Sequence, residues 1–221
     1  MPIEPLGAED ASSPEGGGKP ESSVSNPASQ PGVITLARHG EPNISRKVRL
    51  SSAEYAAWWG RYEETGLRPG QSAPAGLRAT ALAAGLVLCS TRPRAIESAR
   101  AVAGEREVEI DVLFIEAPLP PPHWPSWFKL SPRHWGVVSR FWWWFFNHHD
   151  GQERRKAAQI RADDAADYLM ATAQAGEDVL LIAHGFFNFM IGRSLKRRGW
   201  AMAENQGHKY WASRRFIRRA D

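Results

Sequence analysis

Apolar side chains gather along this chain in short unbroken runs. Gly32-Val33-Ile34-Thr35-Leu36-Ala37, Leu86-Val87-Leu88-Cys89-Ser90 and Val179-Leu180-Leu181-Ile182-Ala183 place aliphatic residues on consecutive positions. Without polar alternation, such runs read as strands covered on both faces. A fourth strand is predicted within Val108 to Ile115. Between the runs the period becomes helical. Ser51-Ser52-Ala53-Glu54 is a capping box opening a helix that ends near Gly66. Pro74 to Ala84 and Pro93 to Ala103 read as two further helices. A long one from about Gln152 to Ala175 carries Ala157, Ile160, Ala165, Tyr168 and Leu169 at helical spacing. A last helix follows His184 and stops at Lys196-Arg197-Arg198-Gly199, a basic final turn before glycine. Strands alternating with helices predict the α/β class, a three-layer α/β/α sandwich around a mostly parallel sheet, over residues 32–221.

Two segments fall outside this rhythm. Residues 1–31 are mostly Ser, Pro, Gly, Glu and Ala, too poor in large apolar groups to offset their ordering entropy, and are expected to form a disordered tail. Residues 118–150 are rich in proline and tryptophan, with Pro120-Pro121-Pro122-His123-Trp124 and Phe141-Trp142-Trp143-Trp144-Phe145-Phe146. They read as an insertion over one end of the sheet. A packed capping helix is the preferred reading. A lid or apolar pocket for a greasy substrate is another, and so is a membrane-surface anchor beside Arg133, Arg140 and the basic C-terminus.

The apolar run at Phe141 to Phe146 falls far short of the roughly 20 residues of a spanning helix. The start, Met1-Pro2-Ile3-Glu4-Pro5, lacks the basic and apolar regions of a signal peptide. A single cysteine, Cys89, excludes an internal disulfide framework and thiolate clusters. A reducing, cytoplasmic setting is expected. The net charge of +4 suits a small anionic substrate without requiring nucleic acid.

Three apolar runs end in polar groups of one chemical kind: Arg38-His39-Gly40, then Ser90-Thr91-Arg92-Pro93-Arg94, then His184-Gly185. In open α/β sheets, ligands bind beyond the carboxyl ends of the strands, where adjacent loops converge. Residues far apart in sequence can therefore meet there, and Glu116, after the fourth run, could join them. A neutral imidazole attacks phosphorus without first losing a proton, if its other nitrogen is pinned. Arginine forks match phosphoryl oxygens in pairs. Phosphoryl transfer depends mainly on positioning and charge neutralisation, so arginines and a second histidine suffice without a metal or other cofactor. The leaving alkoxide needs a proton, which Glu116 could supply.

Arg38-His39-Gly40, Ser90-Thr91-Arg92-Pro93-Arg94-Ala95-Ile96-Glu97-Ser98-Ala99 and Ala183-His184-Gly185 together resemble, in order, the three motifs of the histidine phosphatase superfamily, branch 1, with its phosphoglycerate mutase-like fold. The resemblance implies that His39 is the phosphorylated nucleophile. It implies that Arg38, Arg94 and His184 form the phosphate pocket and that Glu116 donates the proton. Asn43 resembles a polar loop position that helps hold phosphate. The chain departs from the family where Ile115-Glu116 leads into Ala117-Pro118-Leu119-Pro120, and Glu41, beside the nucleophile, stands as a second candidate acid. Arg92 reads as a solvated neighbour and His148-His149-Asp150 as a surface loop, since adjacent residues rarely chelate one metal ion together.

The function expected is hydrolysis of a small phosphate monoester through a phosphohistidine. Mutase-type phosphoryl transfer and phosphohistidine-directed protein dephosphorylation are alternatives. So is a non-catalytic phospholigand-binding or membrane-associated relative.

Overall fold

The structure is a computed structural model, and it describes residues 30–219. Apart from Gln30 and Pro31, the tail expected over 1–31 lies outside the described residues. The chain runs through strand β1 (Ile34–Arg38), helices α1 (Ser52–Glu64) and α2 (Ala75–Ala83), strand β2 (Leu86–Ser90), helix α3 (Pro93–Ala103) and strand β3 (Glu109–Asp111). It continues through α4 (Pro132–Phe146), α5 (Arg155–Gln174), β4 (Val179–Ala183), α6 (Gly185–Arg197), β5 (Trp200–Asn205) and β6 (Ser213–Arg218). The six strands lie in the order β3-β2-β4-β1-β6-β5. Those from β3 to β1 pair in parallel, whereas β6 runs antiparallel to both β1 and β5.

Consecutive strand residues face opposite ways, which turns each apolar run into two cores. Ile34, Leu36, Leu88, Leu181 and Ala183 pack against α5 and α6 with Trp200 and Phe216. Ala37, Val87, Cys89, Leu180 and Ile182 pack against α2 and α3. That is the three-layer sandwich, with both faces of the parallel strands dry. A third cluster joins α1 to α4 through Tyr55, Trp58, Tyr62 and Trp135, with Trp124 and Phe128 against it.

Local chemistry sets the helix starts. Ser51 accepts from the Glu54 N–H and its own N–H donates to Glu54 Oε2 at 2.7 Å, closing the capping box. Pro93 occupies the first turn of α3, where its missing N–H costs nothing. Gly199, just past α6, has φ of +85°, the left-handed geometry that ends many helices.

The strand expected within Val108 to Ile115 is there as β3, three residues paired with β2, after which Asp111 accepts from the Leu113 N–H and starts a 3-10 turn over Val112–Phe114. The basic C-terminus, given no element by the pattern, forms β6, which makes a hairpin with β5; its Phe216 is buried opposite Ile34 while Arg215 and Arg218 face outward.

Within 118–150, α4 is two-faced. Trp135, Ser139 and Trp143 recur every fourth residue on the buried side. Trp135 Nε1 donates to Leu50 O at 2.6 Å and Trp143 Nε1 to Glu153 O at 3.0 Å, so both indoles are satisfied. Val137, Phe141 and Phe145 recur at the same spacing on the exposed side. Among the described residues, no helix is long and apolar enough to cross a membrane.

Candidate active site

The carboxyl ends of β1, β4 and β2 are neighbours in the sheet, and each delivers one group to a common point. The His39 N–H donates to Ala183 O at 3.0 Å, extending the β1–β4 pairing one residue past the strand. The Gly40 N–H donates to Ser98 Oγ at 2.8 Å, and that hydroxyl donates to Arg94 O at 2.6 Å. Asn188 on α6 donates to Ala37 O. The turn after β1 is thus clamped to α3 and to α6. A larger residue at Gly40 requires its neighbours to shift, because a Cβ would overlap the Trp211 indole and approach Leu67 Cδ2 to 2.9 Å. Trp211 itself adopts φ of +65°, a strained geometry for a bulky side chain, and its N–H reaches the Arg38 and His39 carbonyls.

His39 and His184 are both buried, their ring centroids 5.2 Å apart and nearly edge to face. His39 Nδ1 lies 2.7 Å from Gly40 O, and a carbonyl can only accept, so Nδ1 carries the proton and Nε2 keeps its lone pair. Burial first, and then the charges of Arg94 and Arg38, hold His39 well below the usual histidine value of 6.5. Burial and Arg94 act on His184 in the same direction. Both rings are therefore neutral at pH 7. Arg94 Nη2, a donor only, faces His184 Nδ1 at 3.4 Å, which leaves Nε2–H to donate to Ser90 Oγ at 2.8 Å.

Arg94 is fully buried. Its Nη1 donates to Tyr62 O at 2.8 Å, its Nη2 to Glu63 Oε1 at 2.8 Å, and its guanidinium lies over the Tyr62 ring. Arg38 Nη1 donates to His208 O, and its guanidinium lies 4.3 Å from the Tyr210 ring centroid. Arg46 Nη1 donates to the Tyr210 hydroxyl, and Tyr210 packs on His39 at 5.8 Å between centroids. The Nε atoms of Arg38, Arg46 and Arg94 are all buried without a hydrogen-bond partner among the described residues. An unmade bond to a buried donor costs about 1–3 kcal/mol, and these three belong to the arginines whose charges act on His39.

Of the residues singled out from sequence, His39, His184, Arg38 and Arg94 come together. Glu116 lies next to them, at the start of α6. Its Oε1 accepts from the N–H groups of Ala117 and Phe187, and its Oε2 accepts a longer bond of 3.3 Å from Phe186. Asn43 does not join them. The bridge between Pro42 and Leu67, with the Asn43 N–H on Gly66 O, leaves it exposed. Arg46, three residues on, is the side chain of that loop that reaches Tyr210. Glu41 turns outward into an exposed ion pair with Arg68 at 2.9 Å. Arg92 is not merely solvated, because its Nε lies 2.6 Å from Glu63 Oε2.

Sequence reasoning missed Arg46, Glu63 and Tyr210. Arg46 is one of three cations in Arg46-Lys47-Val48-Arg49, with nothing local to distinguish it, and Tyr210 sits in the hairpin loop that was not foreseen. A cavity of about 990 Å³ adjoins the cluster, walled by Glu63, Arg92, Glu116, Glu153, Arg161 and Asp164.

The fold is shared with known proteins. The solved structures it resembles include a phosphoglycerate mutase from Bacillus anthracis str. Sterne, 16% identical, with 86% of this chain and 90% of that one aligned and a TM-score of 0.55. The product of open reading frame Rv3214 from Mycobacterium tuberculosis is 19% identical over 82% of this chain and 89% of its own, with a TM-score of 0.49. No curated protein sequence gives a match. The family profile of the histidine phosphatase superfamily (branch 1) matches residues 34–214, which takes in all three motifs. With this match and the phosphoglycerate mutase-like fold, the chain belongs to the histidine phosphatase superfamily, branch 1.

Proposed function

We propose that the protein is a phosphatase that hydrolyses a phosphate monoester through a phosphohistidine on His39. The observation that carries this reading is the set of three buried, unpaired arginine Nε donors around a neutral imidazole whose free nitrogen is Nε2. In the first step the Nε2 lone pair attacks phosphorus and the bond to the ester oxygen breaks. Its electron pair stays on that oxygen, which takes a proton from Glu116. Oε2 is the oxygen of Glu116 with room for that proton, since it holds only the one 3.3 Å bond. Arg38, Arg94 and Arg46 neutralise the equatorial oxygens. His184 stays neutral, held so by burial first and then by the charges of Arg94 and His39. In the second step water attacks the phosphohistidine, its proton passes to Glu116, and the P–N electron pair returns to His39.

The test is turnover of an aryl phosphate, whose leaving group needs little acid assistance, with quenched trapping of labelled protein. Wild type should turn over and trap label on histidine, and His39→Ala should lose both. Absence of label on His39 with every donor tried would refute the reading.

A further inference from the structure

The exposed stripe of α4 and the first turns of α6 face one another across a groove of about 570 Å³. Its apolar wall is Val137, Phe141 and Phe145 from α4 with Phe186 and Phe189 from α6. Val137 and Phe145 are two-thirds exposed, an unfavourable use of large apolar side chains unless something covers them. The charged positions in the lining are Arg46, Arg133, Arg140 and Arg193, with no carboxylate among them. The larger cavity next to the site has the opposite character, with five carboxylates along its wall, Glu116 among them.

The groove and the His39 cluster share Arg46, which lines the groove and also binds the Tyr210 hydroxyl, while Tyr210 lies against His39. Phe186, also in the lining, is two residues from His184, and the Arg140 guanidinium lies 3.6 Å from the Phe186 ring centroid. A chain leaving a phosphate held at His39 toward Arg46 would therefore pass from cations onto aromatic rings. A surface that only rested on a membrane would have no need of Arg46 reaching inward to Tyr210.

We propose that this groove receives the leaving group of the substrate, and that the substrate class is a phosphate monoester of a long apolar alcohol. The assignment rests on the phosphatase reading for the fate of the ester, but the groove can be tested without it.

Ethyl, butyl, hexyl and octyl phosphate, each below its micelle concentration, provide the series. Each methylene buried in the groove should raise kcat/KM about two- to fourfold, so octyl should exceed ethyl phosphate by at least about 50-fold. Val137→Asp, on an exposed position, should cut that ratio to below about fivefold. Octylphosphonate and ethylphosphonate, titrated calorimetrically into His39→Ala, read the same preference as binding without chemistry. Tighter octylphosphonate binding with no ester turned over would support the groove and sink the phosphatase reading. Equal rates and equal binding along the series would overturn the groove, as would a chain-length ratio that Val137→Asp leaves intact. Flotation with vesicles of phosphatidylcholine and phosphatidylglycerol, together with a chain-length ratio near one, would overturn it in favour of a membrane contact.

Discussion

Removing one charge, that of Glu63, should unbalance the whole arginine side of the site. Glu63 sits at the last turn of α1, accepts from Arg94 on Oε1 at 2.8 Å and forms an ion pair with Arg92, whose Nε lies 2.6 Å from Oε2. Glu63→Gln keeps the shape but places an amide N–H₂ against one of two groups that only donate. A hydrogen bond to a charged group contributes about 1.5–3 kcal/mol. The Arg94 bond lies at the upper end of that range, because Arg94 is fully buried, whereas the Arg92 ion pair is discounted by exposure of about a third of that side chain. Arg94 keeps its bond to Tyr62 O, which limits the loss. The expected net change is about 2–3 kcal/mol, or a fall in Tm of roughly 5–10 °C for a domain of this size. Urea unfolding followed by tryptophan fluorescence measures it, with an unchanged m-value as the check that the native state is the same. Glu64→Gln, on the exposed neighbouring residue, should stay within about 0.5 kcal/mol. A double-mutant cycle with Arg94→Met should return a coupling of about 2 kcal/mol. Additive single effects, or a Glu63→Gln no worse than Glu64→Gln, would refute the account of how Arg94 is held.

Gly40→Ala should cost about 1–3 kcal/mol, since the new methyl group must displace the Trp211 indole; a shifted tryptophan emission together with the stability loss checks it. Burial lowers both His39 and His184 in the folded state, so below 6.5 the unfolded chain binds more protons than the folded one. Their contribution is complete above that pH and shrinks as pH falls, by up to about 1.4 kcal/mol per unit for each ring; denaturation midpoints at pH 7.5 and 5.5 test this, and His39→Gln with His184→Gln should flatten the difference. Glu116→Gln should destabilise α6 by about 1 kcal/mol through the weakened cap. It should also lower kcat for an alkyl phosphate roughly 100-fold while changing an aryl phosphate by less than tenfold; equal effects on the two esters would show that Glu116 only caps the helix. Glu41→Gln should change either rate by less than about twofold.

The parallel strands and the pairing of His39 with His184 were legible because both depend on local patterns. A strand buried on two faces must be apolar at every position, and the polar residue that ends it must point beyond the sheet. The C-terminal hairpin was hidden for the opposite reason. Of the residues Ser213 to Arg218 only Phe216 is buried, so a strand clothed in arginine reads as a charged tail although it lies between β1 and β5. Within Val108 to Ile115 the strand stops at three residues because Asp111 bonds forward to Leu113 and ends the ladder. Asn43 resembles the family's polar loop position in sequence, whereas the direction of that loop is set by the pairing of Pro42 with Leu67, which no local pattern announces. Glu63 and Tyr210 reach the site through tertiary packing alone.

The order of strands in the sheet also governs when this protein becomes itself during synthesis. β1 has no parallel neighbour until β4 is made, some 145 residues later, and its other flank waits for β6. Such distant pairings form slowly, and a growing chain folds from its amino end. His39 therefore leaves the ribosome early and must wait for its partners. Ala183, His184 and Tyr210 arrive in the last fifth of the chain, and a nascent or truncated product that stops before them carries the nucleophile without a pocket. Until that moment the bare edge of β1, Ile34 to Arg38, is an open strand for a chaperone, or a second nascent chain, to pair with.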